Sequence, residues 1–315
     1  MKIITINTHS LEEPDYEKKL HQFAEAVLAE QPDVFAMQEV NQSINAKQRD
    51  LSQLLGYVDC PDFSGPVRLD NHAARLAEIL SENGRRYFWS WVPAKLGYDK
   101  YDEGLALFCR KPILEVDSFR ISRSSDYENW KTRRILGVKT NDGWFYTVHM
   151  GWWDDEEEPF WEQWERLEEH LRPLRDIQEP AHRGTSLHTI SQAEKTAEDC
   201  TEKPPVWLMG DFNSLDSIAG QGYDLIRKSG WKDTYCLART KDKGITVGKV
   251  IDGWRERLSE EPFGKKAKEP VLEQEGMRID YIWCSHSVPV ANSLVICNGE
   301  KYPVVSDHYG VMIEV

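Results

Sequence analysis

Residues 206–213 read Val-Trp-Leu-Met-Gly-Asp-Phe-Asn, an apolar run that ends in a glycine, an aspartate and, two residues later, an asparagine. A short apolar run of this kind is typical of a buried β-strand. Because Asp211 and Asn213 follow the run directly, we expect them at the end of a sheet, where rigid backbone can hold catalytic groups. One aspartate after a strand is more often only a turn residue, so the motif needs support from the rest of the chain.

The same pattern, an apolar strand with a polar end, recurs along the chain. Residues 2–6, 34–37 and 144–148 are further apolar or β-branched runs. The polar residues at these and later strand ends are Asn7, Gln38, Glu39, His149, Asp307 and His308, and Asp280 lies at the start of a further run. We expect these groups to meet at one edge of the structure.

Three segments with apolar residues at helical spacing lie between the strands, over residues 16–30, 71–83 and 160–172. Pro32 and Gly84 follow the first two segments and are typical of helix ends. Strands and helices interleave along the chain, which indicates an α/β (α+β) fold class.

Composition narrows the classes of function. The formal net charge is −14, from 39 Lys and Arg against 53 Asp and Glu. A protein that binds nucleic-acid backbones needs a basic face, so nucleic acid is an unexpected partner, although a local basic patch stays possible. The six cysteines have no metal-site spacing, and reduced thiols are expected. A signal peptide and a membrane span are not expected either, which predicts a cytoplasmic protein. Oligomeric state is not predicted.

In order and context, Met37-Gln38-Glu39, the 210–213 stretch and Ser306-Asp307-His308 resemble the motifs of the endonuclease/exonuclease/phosphatase superfamily. Its members include DNase I, apurinic endonucleases, neutral sphingomyelinases and inositol-polyphosphate phosphatases. The resemblance implies a four-layer DNase I-like sandwich, two packed mixed β-sheets flanked by helices. It also implies one domain over residues 1–315, with insertions expected at 152–205 and 239–276.

Phosphoester hydrolysis requires neutralisation of charge on the phosphoryl oxygens and a positioned water. Mg²⁺, with Mn²⁺ as an alternative, is the expected cofactor, and carboxylate oxygen is its preferred ligand. Glu39 is the leading metal candidate, the resemblance adds Asn7, and Asp307 is a third candidate. The resemblance also implies that Asp211 orients or deprotonates the attacking water and that Asn213 donates a hydrogen bond to a phosphoryl oxygen.

Two histidines complete the expected catalytic set. His308 should be oriented by a carboxylate, and the resemblance implies Asp280 for that role. His149 is the second imidazole, and Glu103 is the carboxylate expected to orient it. Which of the two imidazoles acts as the acid stays open.

A closer resemblance, carried by stretches such as Gly97–Gly104 and Gly151–Glu157, is to a bacterial subgroup that contains maltose 6′-phosphate phosphatases. It implies a small phosphorylated sugar as substrate. Arg133 and Arg134 are candidates for binding the phosphate, or are a surface pair. Trp152, Trp153 and Tyr98 are candidates for binding the sugar, because indole faces pack on sugar rings.

The acidic run 154–158 would repel a duplex and could accept hydrogen bonds from hydroxyl groups, or could stabilise the start of the following helix. The alternatives to a sugar phosphatase are a DNase I-like or apurinic-type endonuclease, a sphingomyelinase-type phosphodiesterase and a non-catalytic binding module. The acidic composition disfavours the first of these, no clear apolar hairpin supports the second, and the filled catalytic set disfavours the third.

Overall fold

A computed structural model describes residues 1–175, 204–249, 254 and 276–315. Its strands are β1 (Lys2–Asn7), β2 (Val34–Ser43), β3 (Phe88–Gly97), β4 (Tyr101–Cys109), β5 (Glu115–Arg120), β6 (Arg134–Thr140), β7 (Gly143–His149), β8 (Val206–Asp211), β9 (Lys232–Asp233), β10 (Ala238–Lys241), β11 (Asp280–Cys284), β12 (Val290–Ile296) and β13 (Gly310–Glu314). Its α-helices are α1 (Tyr16–Glu30), α2 (His72–Glu82), α3 (Phe160–Arg175), α4 (Gly222–Lys228) and α5 (Thr234–Leu237). The three helices predicted from the sequence correspond to α1, α2 and α3.

The strands form two sheets. The first has seven strands in the order β10-β12-β13-β1-β2-β4-β3, and the second has six in the order β5-β6-β7-β8-β11-β9. Each sheet mixes directions, since β1 is parallel to β2 and antiparallel to β13, while β8 is parallel to β7 and antiparallel to β11.

The core has four layers because successive residues of a strand point to opposite faces of its sheet. Ile3 joins a buried cluster between the two sheets, whereas Ile4 packs in a cluster with residues of α1 and α2. In β8, Trp207 faces the other sheet and Leu208 packs with residues of α3 and α4. Strands buried on both faces read as continuous apolar runs, which explains the sequence pattern. The predicted sandwich of two mixed sheets flanked by helices is confirmed.

The predicted insertions fall largely on residues 176–203, 250–253 and 255–275, which lie outside the described residues. Between residues 152 and 175 the structure shows α3, whose Phe160, Trp164 and Leu167 belong to the core beside the second sheet. The division into one domain with two insertions therefore stays a prediction. Across the described residues no helix is long and apolar enough to cross a membrane, and the cytoplasmic location also stays a prediction.

A buried polar bridge joins the two sheets at one end. Gln38 of β2 donates from Nε2 to Thr5 Oγ1 at 3.1 Å and to Thr147 Oγ1 at 2.9 Å, and Thr147 lies on β7 in the other sheet. Thr147 Oγ1 in turn donates to Met37 O at 3.3 Å. Breaking these buried hydrogen bonds would be costly, so the bridge fixes the position of one sheet end relative to the other.

Gly210 lets β8 approach β7 closely just before Asp211. Its φ of +147° is one that side-chain-bearing residues rarely adopt, and a Cβ added there would lie 2.0 Å from Val148 O. Both the backbone conformation and the packing therefore require glycine at this position.

We expect Gly210→Ala to lower the free energy of unfolding by about 3 kcal/mol, because it adds overpacking to backbone strain. The control is Gly84→Ala, where φ is +75° and nothing lies within 4 Å of the added Cβ. That change should cost only about 1 kcal/mol, from the left-handed conformation alone. Urea denaturation measures both, and equal losses would contradict the packing argument.

Candidate active site

Three neighbouring strands of the second sheet bring an imidazole and two carboxylates together. His149 at the end of β7 is in register with Asp211 at the end of β8, which is in register with Asp280 at the start of β11. Asn7, at the end of β1 in the first sheet, donates from Nδ2 to Asp211 Oδ2 at 3.2 Å. Strand ends from both sheets therefore meet in one buried site, as the sequence predicts.

Glu39 reaches this site through an irregularity in β2. The pairing with β4 shifts register between Met37 and Val40, and Glu39 has a positive φ of 52°. Hydroxyl groups hold the strained segment, since Thr8 Oγ1 donates to Gln38 O at 2.9 Å and Ser10 Oγ donates to Glu39 O at 2.6 Å. A bulge re-aims a side chain in this way, and the carboxylate of Glu39 accepts from Asn7 Nδ2 at 2.8 Å.

Asp211 lies between two imidazoles. Nε2 of His149 and Nε2 of His308 are each 3.7 Å from Asp211 Oδ2. On its other side, His308 Nδ1 is 2.9 Å from Asp280 Oδ2, the pairing that the resemblance implies. The carboxylate of Asp211 is thus positioned to share a proton or a water with either ring.

The two imidazoles have opposite protonation preferences. Burial and the nearby cations Arg133 and Lys95 lower the pKa of His149 well below its usual 6.5. Burial would also lower the pKa of His308, but the carboxylates of Asp280 and Asp211 outweigh it and raise that pKa well above 6.5. Burial raises the pKa of Asp211 itself. Near neutral pH the site therefore holds one neutral ring and one cationic ring beside the same carboxylate.

Asn213 is fixed beside Asp211 in a strained turn with a φ of 45°. Its backbone nitrogen donates to Asp211 Oδ1 at 2.8 Å, and its Nδ2 donates to Met150 O at 3.0 Å. An amide nitrogen carries two N–H groups, so the second is available in principle for a phosphoryl oxygen. That role stays a prediction.

The expectation that Glu103 orients His149 is wrong. Glu103 lies on β4 opposite Lys95 of β3, and Lys95 Nζ is 3.1 Å from Glu103 Oε1. Among the described residues, the polar contacts of His149 are with Asp211 and Glu39, the latter at 4.0 Å. A buried ammonium takes the carboxylate because two unpaired buried charges would cost far more than a neutral imidazole left without an acceptor.

The predicted metal ligands provide oxygen atoms beside a surplus of negative charge. Burial and the charges of Glu103 and Asp307 raise the pKa of Glu39, which shows that carboxylates crowd this position. A divalent cation would offset that crowding, and carboxylate and amide oxygens suit a hard cation such as Mg²⁺. The carboxylates of Glu39 and Asp307 therefore fit the predicted metal. Asn7 turns Nδ2 toward Glu39, and its Oδ1 accepts from His9 N at 3.2 Å, so it lies beside the position. The role of all three as ligands stays a prediction.

His9 and Glu13 also lie at this edge of the site. His9 Nδ1 is 2.8 Å from Glu13 Oε1 and 4.0 Å from Asp307 Oδ1, and its Nε2 is 3.0 Å from Tyr98 Oη. Burial opposes protonation of His9, but Glu13, Glu39 and Asp307 together raise its pKa to about 9. Glu13 is not among the residues predicted from the sequence, and its four-residue spacing from His9 is the one local signal for the pair.

The two predicted phosphate-binding arginines lie on different faces. The buried guanidinium of Arg133 interacts electrostatically with Glu103, Glu39 and Asp211, which places it at the site. Arg134, the next residue, donates from Nη1 to Ser118 Oγ at 3.0 Å and lines a separate groove of about 390 Å³ with Arg68 and Arg120. The prediction for Arg134 is therefore corrected, because adjacent residues at a strand end face opposite ways.

The three aromatic residues predicted to bind the sugar lie in different surroundings. Trp152 lies 5.7 Å from the ring of Trp130, whose side chain is half exposed. Trp153 packs against Phe160 beside the core of the second sheet, while Trp152 packs beside a smaller cluster that contains Trp254, and both are partly buried. A sugar-binding role stays a prediction for both. Tyr98 is half exposed and lies beside His9, next to the metal candidates.

Two residues of the acidic run 154–158 join its loop to the loop that contains residues 123–131. Asp155 pairs with Lys131 Nζ at 2.9 Å, and Glu158 accepts from the backbone nitrogens of Arg123 and Ser124 at 2.7 and 2.6 Å. Asp155 and Glu158 are buried. They therefore hold the loops of Trp130 and Trp152 in place, and the expectation that they accept hydrogen bonds from a sugar is wrong for these two carboxylates.

Comparison with known proteins gives a family and a fold. The model of the Endonuclease/Exonuclease/phosphatase family matches residues 4–308. An endonuclease/exonuclease/phosphatase family protein from Leptotrichia buccalis C-1013-b is 27% identical, with a TM-score of 0.72, over 100% of this chain and 98% of that one.

Two more distant structures share the fold. A mannosyl-6-phosphatase from Bacteroides thetaiotaomicron VPI-5482 is 19% identical, with a TM-score of 0.57, over 100% of this chain and 98% of that one. A 3′ phosphatase from Neisseria, bound to a product DNA hairpin, is 16% identical, with a TM-score of 0.52, over the same two shares. No curated protein sequence matches the chain.

We expect Asp280→Asn to lower the pKa of His308 by at least about one unit, because it removes the charge that opposes burial. His308 would then lose its proton at a lower pH than in the wild type. NMR titration of the histidine ring protons in metal-free protein measures the shift. The exposed His21 is the internal reference, and an unchanged His308 titration would show that Asp280 does not set the charge of the ring.

Proposed function

We propose that this chain, which belongs to the endonuclease/exonuclease/phosphatase family of hydrolases, is a divalent-metal-dependent phosphatase. It acts on a small phosphorylated sugar, such as maltose 6′-phosphate, by attack of water on phosphorus. The observation that carries the proposal is the position of Asp211, 3.7 Å from each of two imidazoles that differ in protonation. Pairs of groups whose pKa values are driven apart by their surroundings are typical of acid–base catalysis.

In this mechanism Asp211 orients the attacking water and accepts its proton. A raised pKa makes that carboxylate a stronger base than an exposed aspartate, which suits proton transfer near neutral pH. Cationic His308, held by Asp280, donates a proton to the leaving alcohol oxygen as the bond between phosphorus and that oxygen breaks. The products are the free sugar hydroxyl and inorganic phosphate.

Neutral His149 and the second N–H of the Asn213 amide donate hydrogen bonds to phosphoryl oxygens, and Arg133 adds a positive charge beside them. Glu39, Asn7 and Asp307 would hold the metal. When bound, a divalent cation supplies further positive charge that offsets the charge developing on the phosphoryl oxygens.

A small substrate is supported by the surroundings of the site. The net charge of −14 disfavours a phosphate-lined polymer, whose affinity comes mainly from cationic contacts. The aromatic pair Trp130 and Trp152 offers apolar surface suited to a sugar ring. Arg133 Nη1 donates to Trp130 O at 2.9 Å, so this surface is fixed to a residue of the phosphate site.

We expect the purified protein with Mg²⁺ to release inorganic phosphate from sugar phosphates, and not to nick supercoiled plasmid. A panel of mono- and disaccharide phosphates, tested with Mg²⁺, with Mn²⁺ and with EDTA, measures this. His308→Ala excludes a contaminant, because it removes the proposed acid and should lower kcat by about a hundredfold or more. Plasmid nicking that exceeds phosphate release would favour the nuclease alternative.

We expect Trp130→Ala to raise KM for a disaccharide phosphate about tenfold, which corresponds to about 1.4 kcal/mol of lost stacking. The backbone carbonyl that Arg133 binds is retained, so KM for p-nitrophenyl phosphate should change less. Trp161→Ala is the matched control, since Trp161 is 49% exposed and Trp130 is 50% exposed, and Trp161 lies on the outer part of α3. Equal effects of the two substitutions would refute a sugar-binding role for Trp130.

A further inference from the structure

Arg133 is a buried cation that forms no direct ion pair with a carboxylate of the described residues, although Glu103, Glu39 and Asp211 act on it electrostatically. Its Nη1 donates to the backbone oxygens of Trp130 and Thr132, at 2.9 and 3.4 Å. Its Nε is buried without a hydrogen-bond partner, and the described residues place no carboxylate in an ion pair with it. A buried N–H group without an acceptor is costly, so the unpartnered Nε of this cation indicates a place for an oxygen of a bound anion.

Lys95 is a second buried cation at the same end of the sheet. It follows a shift in the pairing of β3 with β4 between Pro93 and Lys95, which turns its side chain inward beside Glu103. The two cations and His149 are close enough that Lys95 and Arg133 both contribute to the lowered pKa of that ring. Lys95 and Arg133 also act electrostatically on each other.

The contact with Glu103 leaves Lys95 with donors to spare. An ammonium carries three N–H groups, and within the described part of the chain its one ion-pair contact is with Glu103 Oε1. The side chain of Glu103 packs closely over Gly97, since a Cβ added to Gly97 would lie 2.5 Å from Glu103 Oε2. The carboxylate therefore pairs with the ammonium without using all of its N–H groups.

We propose that Lys95, positioned by Glu103, acts with Arg133 as a two-cation receptor that selects the terminal phosphate of a monoester over a phosphodiester. This inference rests on the proposed phosphatase function and identifies how the site would distinguish the two ester classes. A phosphate monoester carries close to two negative charges above neutral pH, whereas a diester carries one. In a buried site each added charge pair is weakly screened, so the second cation favours the dianion.

The test compares two probes, inorganic phosphate and dimethyl phosphate, by calorimetric titration of the full chain in Mg²⁺ at pH 7.5, because burial lowers the pKa of Lys95 and a more basic solution would favour its neutral form. In the double variant Lys95→Met/Glu103→Gln, which removes both charges together, the Kd of inorganic phosphate should rise at least tenfold. The Kd of dimethyl phosphate should rise less than threefold. The matched control is Lys139→Met/Glu115→Gln, which neutralises an exposed ion pair between β5 and β6 and should leave both constants unchanged.

The single variant Glu103→Gln gives a second test, in which the Kd of inorganic phosphate should change in the opposite direction. It removes a negative charge from the receptor and keeps Lys95, so inorganic phosphate should bind at least threefold more tightly. A merely structural pair would instead weaken the binding of both probes equally in either variant. That result, or no change in either variant, overturns the proposal, and a double variant that fails to fold leaves Glu103→Gln as the deciding measurement.

The two proposals can fail separately. If the wild type hydrolyses no phosphomonoester, the proposed function fails, and the phosphate titrations still decide the role of Lys95. If the wild type is a phosphatase whose ratio of kcat/KM for p-nitrophenyl phosphate over bis(p-nitrophenyl) phosphate is unchanged in Lys95→Met/Glu103→Gln, the function stands and the receptor is wrong. The expected result is a fall in that ratio of at least tenfold.

Discussion

The register of β8 against its two neighbours is the constraint on which the site depends. It places Asp211 beside His149 on one side and beside Asp280 on the other. A shift of one residue would turn Asp211 toward the opposite face of the sheet, because side chains alternate. The apolar residues of β8 prevent that shift, since Trp207 and Leu208 are buried on opposite faces and a slip would exchange their surroundings. Catalytic geometry here is therefore a consequence of core packing.

Most of the fold and much of the site could be predicted, because the signals are local. Buried strands, helical spacing and polar strand ends are readable within a few residues, and the end residues Asn7, His149, Asp211 and His308 do meet. The errors involve contacts between strands. The partner of Glu103 depends on a register shift in the pairing of β3 with β4. Whether Arg133 or Arg134 faces the site depends on where β6 begins. Trp152 and Trp153 are indistinguishable by residue type, and only the structure shows that the first lies beside Trp130 and the second beside Phe160.

The surroundings, and not the residue types, give the two imidazoles different properties. Both rings are buried, which alone favours the neutral form of each. His308 faces Asp280 and Asp211, and these carboxylates keep it charged, while His149 lies near Arg133 and Lys95 and stays neutral. Lys95 is therefore connected to two properties of the site. It pairs with Glu103, the carboxylate that the sequence assigned to His149, and it adds a positive charge beside the proposed phosphate site.

The residues that hold the two loops together are not the aromatic residues, Trp130 and Trp152, that the loops expose. The loops are joined by the ion pair between Asp155 and Lys131 and by hydrogen bonds from the backbone of Arg123 and Ser124 to Glu158. The half-exposed ring of Trp130 can therefore be exchanged during evolution without loosening the loops or disturbing Asp211. An architecture of this kind allows related enzymes to diverge in the molecules they accept while they inherit the same hydrolytic chemistry.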